Sequence, residues 1–197
     1  GETHWRQSCD REVQMVRRAV GICDVSTLGK IDIQGPDAAA FLDLLYTNSF
    51  ASLKQNRVRY GLMLREDGHV MDDGTCARIG AQHYLMTTTT AAAGQVMRHL
   101  DFVHQGLRSD FDVSFTSVTE HWAQFAVAGP EARALLNGIL DRKISDKTLP
   151  YMGYKAVQLG GIAARLFRIS FSGEHAYELA VSACYGESLF QLLLERA

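Results

Sequence analysis

The sequence predicts an α+β fold, with antiparallel or mixed sheets paired locally and helices on their faces. A strand–Gly-Pro–helix unit occurs twice, its glycines Gly35 and Gly129 standing 94 residues apart. Between the copies lies a stretch rich in hairpin signals. The composition, 47% hydrophobic and 21% charged over 197 residues, is that of a globular chain with a core. It excludes disorder and collagen-like structure.

Taken in order, Val13, Val16 and Val20 recur at helical spacing, with Asp10 and Glu12 in the first turn and Gly21 as a stop. Residues 22–29 read as extended or looped, and Lys30–Gln34 alternates as a strand does. Gly35-Pro36-Asp37 opens a helix with Ala38, Phe41, Leu42 and Leu45 on one face. Arg57–Leu64 and His69–Arg78 form a hairpin across Glu66-Asp67-Gly68, and Tyr84–Thr88 adds a third strand. Ala93, Val96, Met97, Leu100 and Val103 mark a helix, and Phe111, Val113 and Phe115 a strand. Gln124–Ala128 repeats the earlier strand, and Gly129-Pro130-Glu131-Ala132 opens a helix carrying Leu135, Leu136 and Ile139. Strands 154–159 and 162–171 join through Gly160-Gly161. A strand over Ala176–Val181 and a helix carrying Leu189, Leu192 and Leu193 follow. Two matched units suggest duplication, with 1–50 and 120–197 in one lobe and 51–119 in a second.

The net charge of −2 asks for neither nucleic acid nor an anionic membrane. No apolar run approaches the roughly 18 residues of a membrane helix. The 4 cysteines contain no Cys-x-x-Cys pair, which points to reduced thiols in the cytoplasm, and the 7 scattered histidines suggest no metal site. There is no Gly-x-Gly-x-x-Gly and no Walker motif. A purified chain is therefore expected to be colourless, without flavin.

Two places invite chemistry. Asp72-Asp73-Gly74 puts adjacent carboxylates in a strand, where Asp is disfavoured. Strand neighbours face opposite ways, so only one of the pair can enter a given pocket. A plain strand end with two solvated carboxylates is the alternative. Glu178 lies in the otherwise apolar run Tyr177–Val181. Facing inward, it needs partners, and it could accept two parallel N–H groups. Facing outward, it is an ordinary solvated position.

Together these pieces resemble the folate-binding aminomethyltransferase family. The likeness rests on Gly21–Lys30 with Gln34–Ala38, on Tyr60–Met63, and on Asp67–Gly74. Ala128-Gly129-Pro130 and Ser172–Leu179 complete it. Within the family, Val20–Pro36, Arg59–Gly68 and Leu85–Thr90 are similar to the C-terminal part of the α subunits of heterotetrameric sarcosine oxidases. Ser26-Thr27-Leu28-Gly29 departs from the Ser-His-Met-Gly of glycine-cleavage members. Thr87–Thr90 stands where those members carry Asn.

The resemblance implies two folate-binding α/β lobes without the family's small β-rich C-terminal domain, as in an excised fragment inactive alone. It implies tetrahydrofolate in this segment, with FAD, FMN and NAD only in other domains or subunits. The activity implied belongs to the oxidoreductase sarcosine oxidase, in one-carbon metabolism. The imine or formaldehyde equivalent from sarcosine would be captured as 5,10-methylenetetrahydrofolate. Asp73 would be the acid near the reacting folate nitrogens, with Asp72 facing away from it. Tyr60, Glu178 and Asp72 are the folate-binding positions expected. Partners implied are the remaining α-subunit domains and the other subunits. Two alternatives stay open: an aminomethyltransferase or dimethylglycine-oxidising domain, and a non-catalytic folate-binding assembly protein. The latter usually shows a Cys-containing segment that Phe171–Glu178 lacks.

Overall fold

The computed structural model describes residues 4–197. It divides into two units, Thr27–Glu120 and the discontinuous Gly1–Ser26 with His121–Ala197.

In chain order the elements are α1 (Trp5–Arg18), β1 (Gly21–Asp24), β2 (Gly29–Gln34), α2 (Ala38–Leu45) and β3 (Arg57–Leu64). Next come β4 (Val70–Gly80), β5 (His83–Thr88), α3 (Ala93–Phe102), β6 (Ser114–Ser117) and β7 (Trp122–Ala128). The chain ends with α4 (Ala132–Ile139), β8 (Tyr154–Leu159), β9 (Ile162–Phe167), β10 (Ala176–Ser182) and α5 (Gly186–Arg196).

In Thr27–Glu120 the antiparallel sheet has the order β3-β4-β5-β2-β6. Alternation sends Ile31 and Ile33 of β2, Cys76 of β4, and Tyr84 and Met86 of β5 to one face. There they meet Ala38, Phe41, Leu42 and Leu45 of α2 and Val96 and Leu100 of α3 in one core. The other unit repeats the plan with the order β1-β7-β10-β9-β8. Phe125, Val127, Leu166, Tyr177 and Leu179 pack there against Leu135 and Leu136 of α4 and Leu189 and Leu193 of α5.

The duplication reaches into backbone detail. Gly35 and Gly129 both adopt the left-handed region, at φ 137° and 130°. The amide two residues on donates to a remote carbonyl in each case, Asp37 N–H to Asp112 O at 3.2 Å and Glu131 N–H to Ala19 O at 3.0 Å. Those same carbonyls would lie 2.2 and 2.3 Å from a Cβ placed on Gly35 and Gly129. A side chain is therefore excluded twice over, by φ and by space.

Several expectations shift. Residues 27–50, expected in the first lobe, belong to the second unit, because β2 pairs with β5 and β6. Helix α1 starts a turn early, at Trp5, where the His4 ring accepts from Arg6 N–H at 3.3 Å. Val20 lies past its end. The helix expected to take in Val103 continues through Val103–Leu107 as a π-helical turn. Phe111 and Val113 precede β6 rather than forming it. Arg108 bonds Asp110 through two 3.0 Å contacts and lies 3.6 Å over the Phe111 ring, which holds this stretch in a turn.

Candidate functional site

The outward face of Thr27–Glu120 carries one group of candidate residues. In the β3–β4 register Tyr60 opposes Thr75 and Leu62 opposes Asp73, so all four side chains share one face. The Tyr60 hydroxyl donates to Asp73 Oδ2 at 2.7 Å. That bond to the carboxylate raises the Tyr60 hydroxyl above its ordinary range. Tyr60 is 48% exposed. Beside this pair, Thr75 and Thr87 join hydroxyls at 2.6 Å, and the Thr87 hydroxyl donates to Thr75 O at 2.8 Å.

Asp72 points the other way. It is 5% exposed, on the helix-covered side. Its Oδ1 accepts from the Thr89 hydroxyl at 2.7 Å, and both its oxygens lie 3.3 Å from the Thr89 amide. Burial raises the Asp72 carboxyl above the usual carboxylate range, against the lowering effect of Thr89. Gly74 admits this arrangement, since a Cβ there would lie 2.0 Å from Thr87 O.

Glu178 belongs to the other unit, on the face of β10 turned away from that unit's core residues Tyr177 and Leu179. The side-chain amide of Gln124, which is fully buried, donates to Glu178 Oε2 at 2.5 Å. Ahead of β10, Gly173 takes φ 83° and the Ser170 hydroxyl donates to Glu174 O at 2.6 Å. The segment 172–175 is thus the turn that delivers β10.

The structure therefore joins Tyr60 to Asp73 directly and sets Asp72 apart, on Thr89. Sequence reasoning missed the holding roles of Thr89 and Gln124. The run of four threonines was a signal for the first; nothing marked the second.

The GCVT N-terminal domain model matches residues 2–197. The chain belongs to that family. Among its relatives, the sarcosine oxidase subunit alpha of Rhizobium meliloti is 54% identical over 197 residues, 99% of this chain and 20% of the relative. An aminomethyltransferase of Thermus thermophilus is 35% identical over 180 residues, 91% of this chain and 50% of the relative. The chain thus spans about a fifth of the one and half of the other. Among solved structures, the aminomethyltransferase T of the Bartonella henselae glycine cleavage system superposes with TM-score 0.81 at 23% identity, covering 94% of this chain and 49% of that one. A chain of the heterotetrameric sarcosine oxidase of Corynebacterium sp. U-96 gives TM-score 0.65 at 13% identity, covering 96% and 92%. These two likenesses concern the fold, which is that of the aminomethyltransferases. Among the described residues no helix is long and apolar enough to cross a membrane.

Proposed function

We propose that this chain is the tetrahydrofolate-binding part of a sarcosine oxidase α subunit. In this reading it captures the imine made from sarcosine at a flavin elsewhere, yielding 5,10-methylenetetrahydrofolate and glycine. Without folate, formaldehyde is released. The observation that carries the reading is the Tyr60–Asp73 pair, found on a chain 54% identical to a sarcosine oxidase α subunit.

The donor set suits a reduced pterin. A flat ring edged with N–H groups needs carboxylate acceptors and an aromatic surface. Asp73 has Tyr60 as its hydrogen-bond donor among the described residues, which leaves Oδ1 to accept from a ligand N–H. Tyr60 offers its exposed ring. In its own unit Glu178, steadied by Gln124, is a second carboxylate acceptor of the kind an aminopyrimidine edge would need.

Tetrahydrofolate supplies two nitrogen nucleophiles for the one-carbon unit. Asp73 stabilises the cationic imine and takes up a proton as a folate nitrogen bonds the methylene carbon. It returns that proton to the nitrogen leaving as glycine. Two N–H protons are lost as both new C–N bonds form, and both end on glycine, so the exchange balances. FAD, FMN and NAD belong in this reading to other domains or subunits, which are also the partners.

The 35% identity to an aminomethyltransferase supports a second reading, in which the one-carbon donor is an aminomethyl group. Measurement in the full-length protein separates them. Asp73→Ala should slow methylenetetrahydrofolate formation about 10²–10³-fold while sparing sarcosine oxidation. Formation at the unaltered rate would remove Asp73 from the chemistry, and the absence of sarcosine oxidation in the parent would favour the second reading.

A further inference from the structure

We propose that Asp72 is a positioning residue that acts through Asp73, with Thr89 as its anchor. The inference rests on the reading of Asp73 given above.

Strand β4 is held unevenly. Its register with β3 runs from Val70 to Arg78, whereas its register with β5 begins only at Cys76. On the β5 side, then, residues 72–75 have no backbone ladder. Side chains take over there: Thr75 bonds Thr87, and Asp72 bonds Thr89, the first residue past β5. The β3 side is itself irregular at this end, with a register shift between Met63 and Leu64, opposite Asp72. The Asp72–Thr89 contact is thus the outermost fastening on the free side of β4, one residue from Asp73.

The choice of a buried carboxylate needs a reason. Burying that charge is costly, and an apolar side chain on the core face would cost less. What the side chain provides is an acceptor oxygen on the core face, and Thr89 meets Oδ1 with both its amide and its hydroxyl. Two donors from one residue fix the β4 backbone in direction as well as distance. The next side chain must then point to the opposite face, toward Tyr60. A displacement of about 1 Å at a reacting group can cost a hundredfold in rate, so a clamp at this position acts on turnover.

The test uses the full-length protein and follows methylenetetrahydrofolate formation, KM for tetrahydrofolate, and sarcosine oxidation. Asp72→Ala should lower folate-dependent kcat about tenfold, the order expected for one lost charged hydrogen bond. Thr89→Val, which keeps the amide, should lower it roughly three- to fivefold. KM and sarcosine oxidation should each stay within about twofold, and the double variant should be no slower than Asp72→Ala, since both act through one contact. Asp72→Asn and Thr89→Ser should largely restore turnover, because one oxygen accepts both Thr89 donors. A purely structural role would not give this split of kcat from KM with conservative rescue.

Wild-type kcat in both Asp72→Ala and Thr89→Val, with Asp73→Ala slow, would overturn the positioning role and leave the proposed function standing. Asp73→Ala at the wild-type rate would overturn the proposed function itself. Asp72→Asn as slow as Asp72→Ala would also defeat the proposal, since charge rather than hydrogen bonding would then matter. Should Asp72→Ala fail to fold, Thr89→Val and Thr89→Ser decide alone.

Discussion

Tyr60 bonds Asp73 diagonally: the hydroxyl reaches Oδ2 at 2.7 Å although the backbone register sets Tyr60 opposite Thr75. A diagonal contact of this kind needs a long side chain, and tyrosine spans it with a rigid ring. The hydroxyl restricts the carboxylate and withdraws one of its lone pairs. Tyr60→Phe keeps the ring and frees the carboxylate. Methylenetetrahydrofolate formation should fall about two- to tenfold, the value of one partly exposed hydrogen bond to a charged group. Unchanged kinetics in the full-length protein would show that Asp73 is oriented without Tyr60.

Gly74 supplies a stability prediction. Its missing Cβ would sit 2.0 Å from Thr87 O and 3.6 Å from Thr88 Cα, so the obstacle is backbone and cannot swing away. Gly74→Ala should force β4 and β5 apart where Asp72 and Thr89 meet. A loss of about 1–3 kcal/mol, the usual cost of overpacking, should appear in urea unfolding. The same variant should slow folate capture more than its stability loss explains. A midpoint equal to wild type would mean that the strands do not approach so closely.

Much of this architecture was legible because its signals are local. Pro36 and Pro130 with their glycines mark the helix entries, and the α2 face Ala38, Phe41, Leu42 and Leu45 is buried as its spacing predicts. Alternation also separated Asp72 from Asp73. What stayed hidden depends on non-local pairing. Nothing within 29–34 shows that β2 joins β5, the pairing that places residues 27–50 with Thr27–Glu120. Thr89 carries no sequence mark distinguishing it from Thr87, Thr88 or Thr90, yet the four have different partners. Gln124 likewise reads as one polar residue in a strand, and only the β7–β10 register brings it to Glu178.

The paired glycines make a symmetrical prediction. Gly35 and Gly129 combine positive φ with a carbonyl at 2.2 and 2.3 Å from the position of a Cβ. Each stands at the entry of one helix, α2 or α4, in its own unit. Alanine at either position should cost about 2–3 kcal/mol, from strain and steric displacement together. Because the sites lie in separate units and share no partner, the double variant should lose the sum. Calorimetric unfolding of the two single variants and the double variant checks this. A tolerated Gly129→Ala beside a destabilising Gly35→Ala would show that the repeat is conformational only, without equal strain.

The last prediction concerns acid. His175 Nε2 lies 2.9 Å from the Tyr177 hydroxyl and 3.2 Å from Arg133 Nη2, and the Arg133 Nε donates to that hydroxyl at 3.1 Å. Arg168 stands over the Tyr177 ring at 5.0 Å and bonds Asp146 at 2.8 Å, while Arg133 bonds the same Asp146 oxygen. With arginine donating, Nε2 must accept, so the ring is neutral and its proton sits on Nδ1. Burial first, then Arg168 and Arg133, hold the His175 pKa below its ordinary value. The unfolded chain, at about 6.5, therefore takes its proton first as pH falls. Stability should be complete above that value and decline as pH drops through it toward the lower folded value. His99, lowered by burial, adds a term of the same sign. Asp146 acts in a separate window, because its carboxyl is held down to about 2 and its contribution fades only below the ordinary carboxylate range. Asp72 opposes the histidines, its raised carboxyl becoming less unfavourable in acid, but again nearer the carboxylate range. Urea midpoints measured from about pH 7.5 to 5.5, spanning the ordinary histidine value, isolate the histidine effect. His175→Gln, which retains an acceptor for Arg133, should flatten that slope and leave only the His99 share. A slope as steep as wild type would place the titration elsewhere and make the His175–Arg133–Tyr177 cluster a packing feature without acid sensitivity.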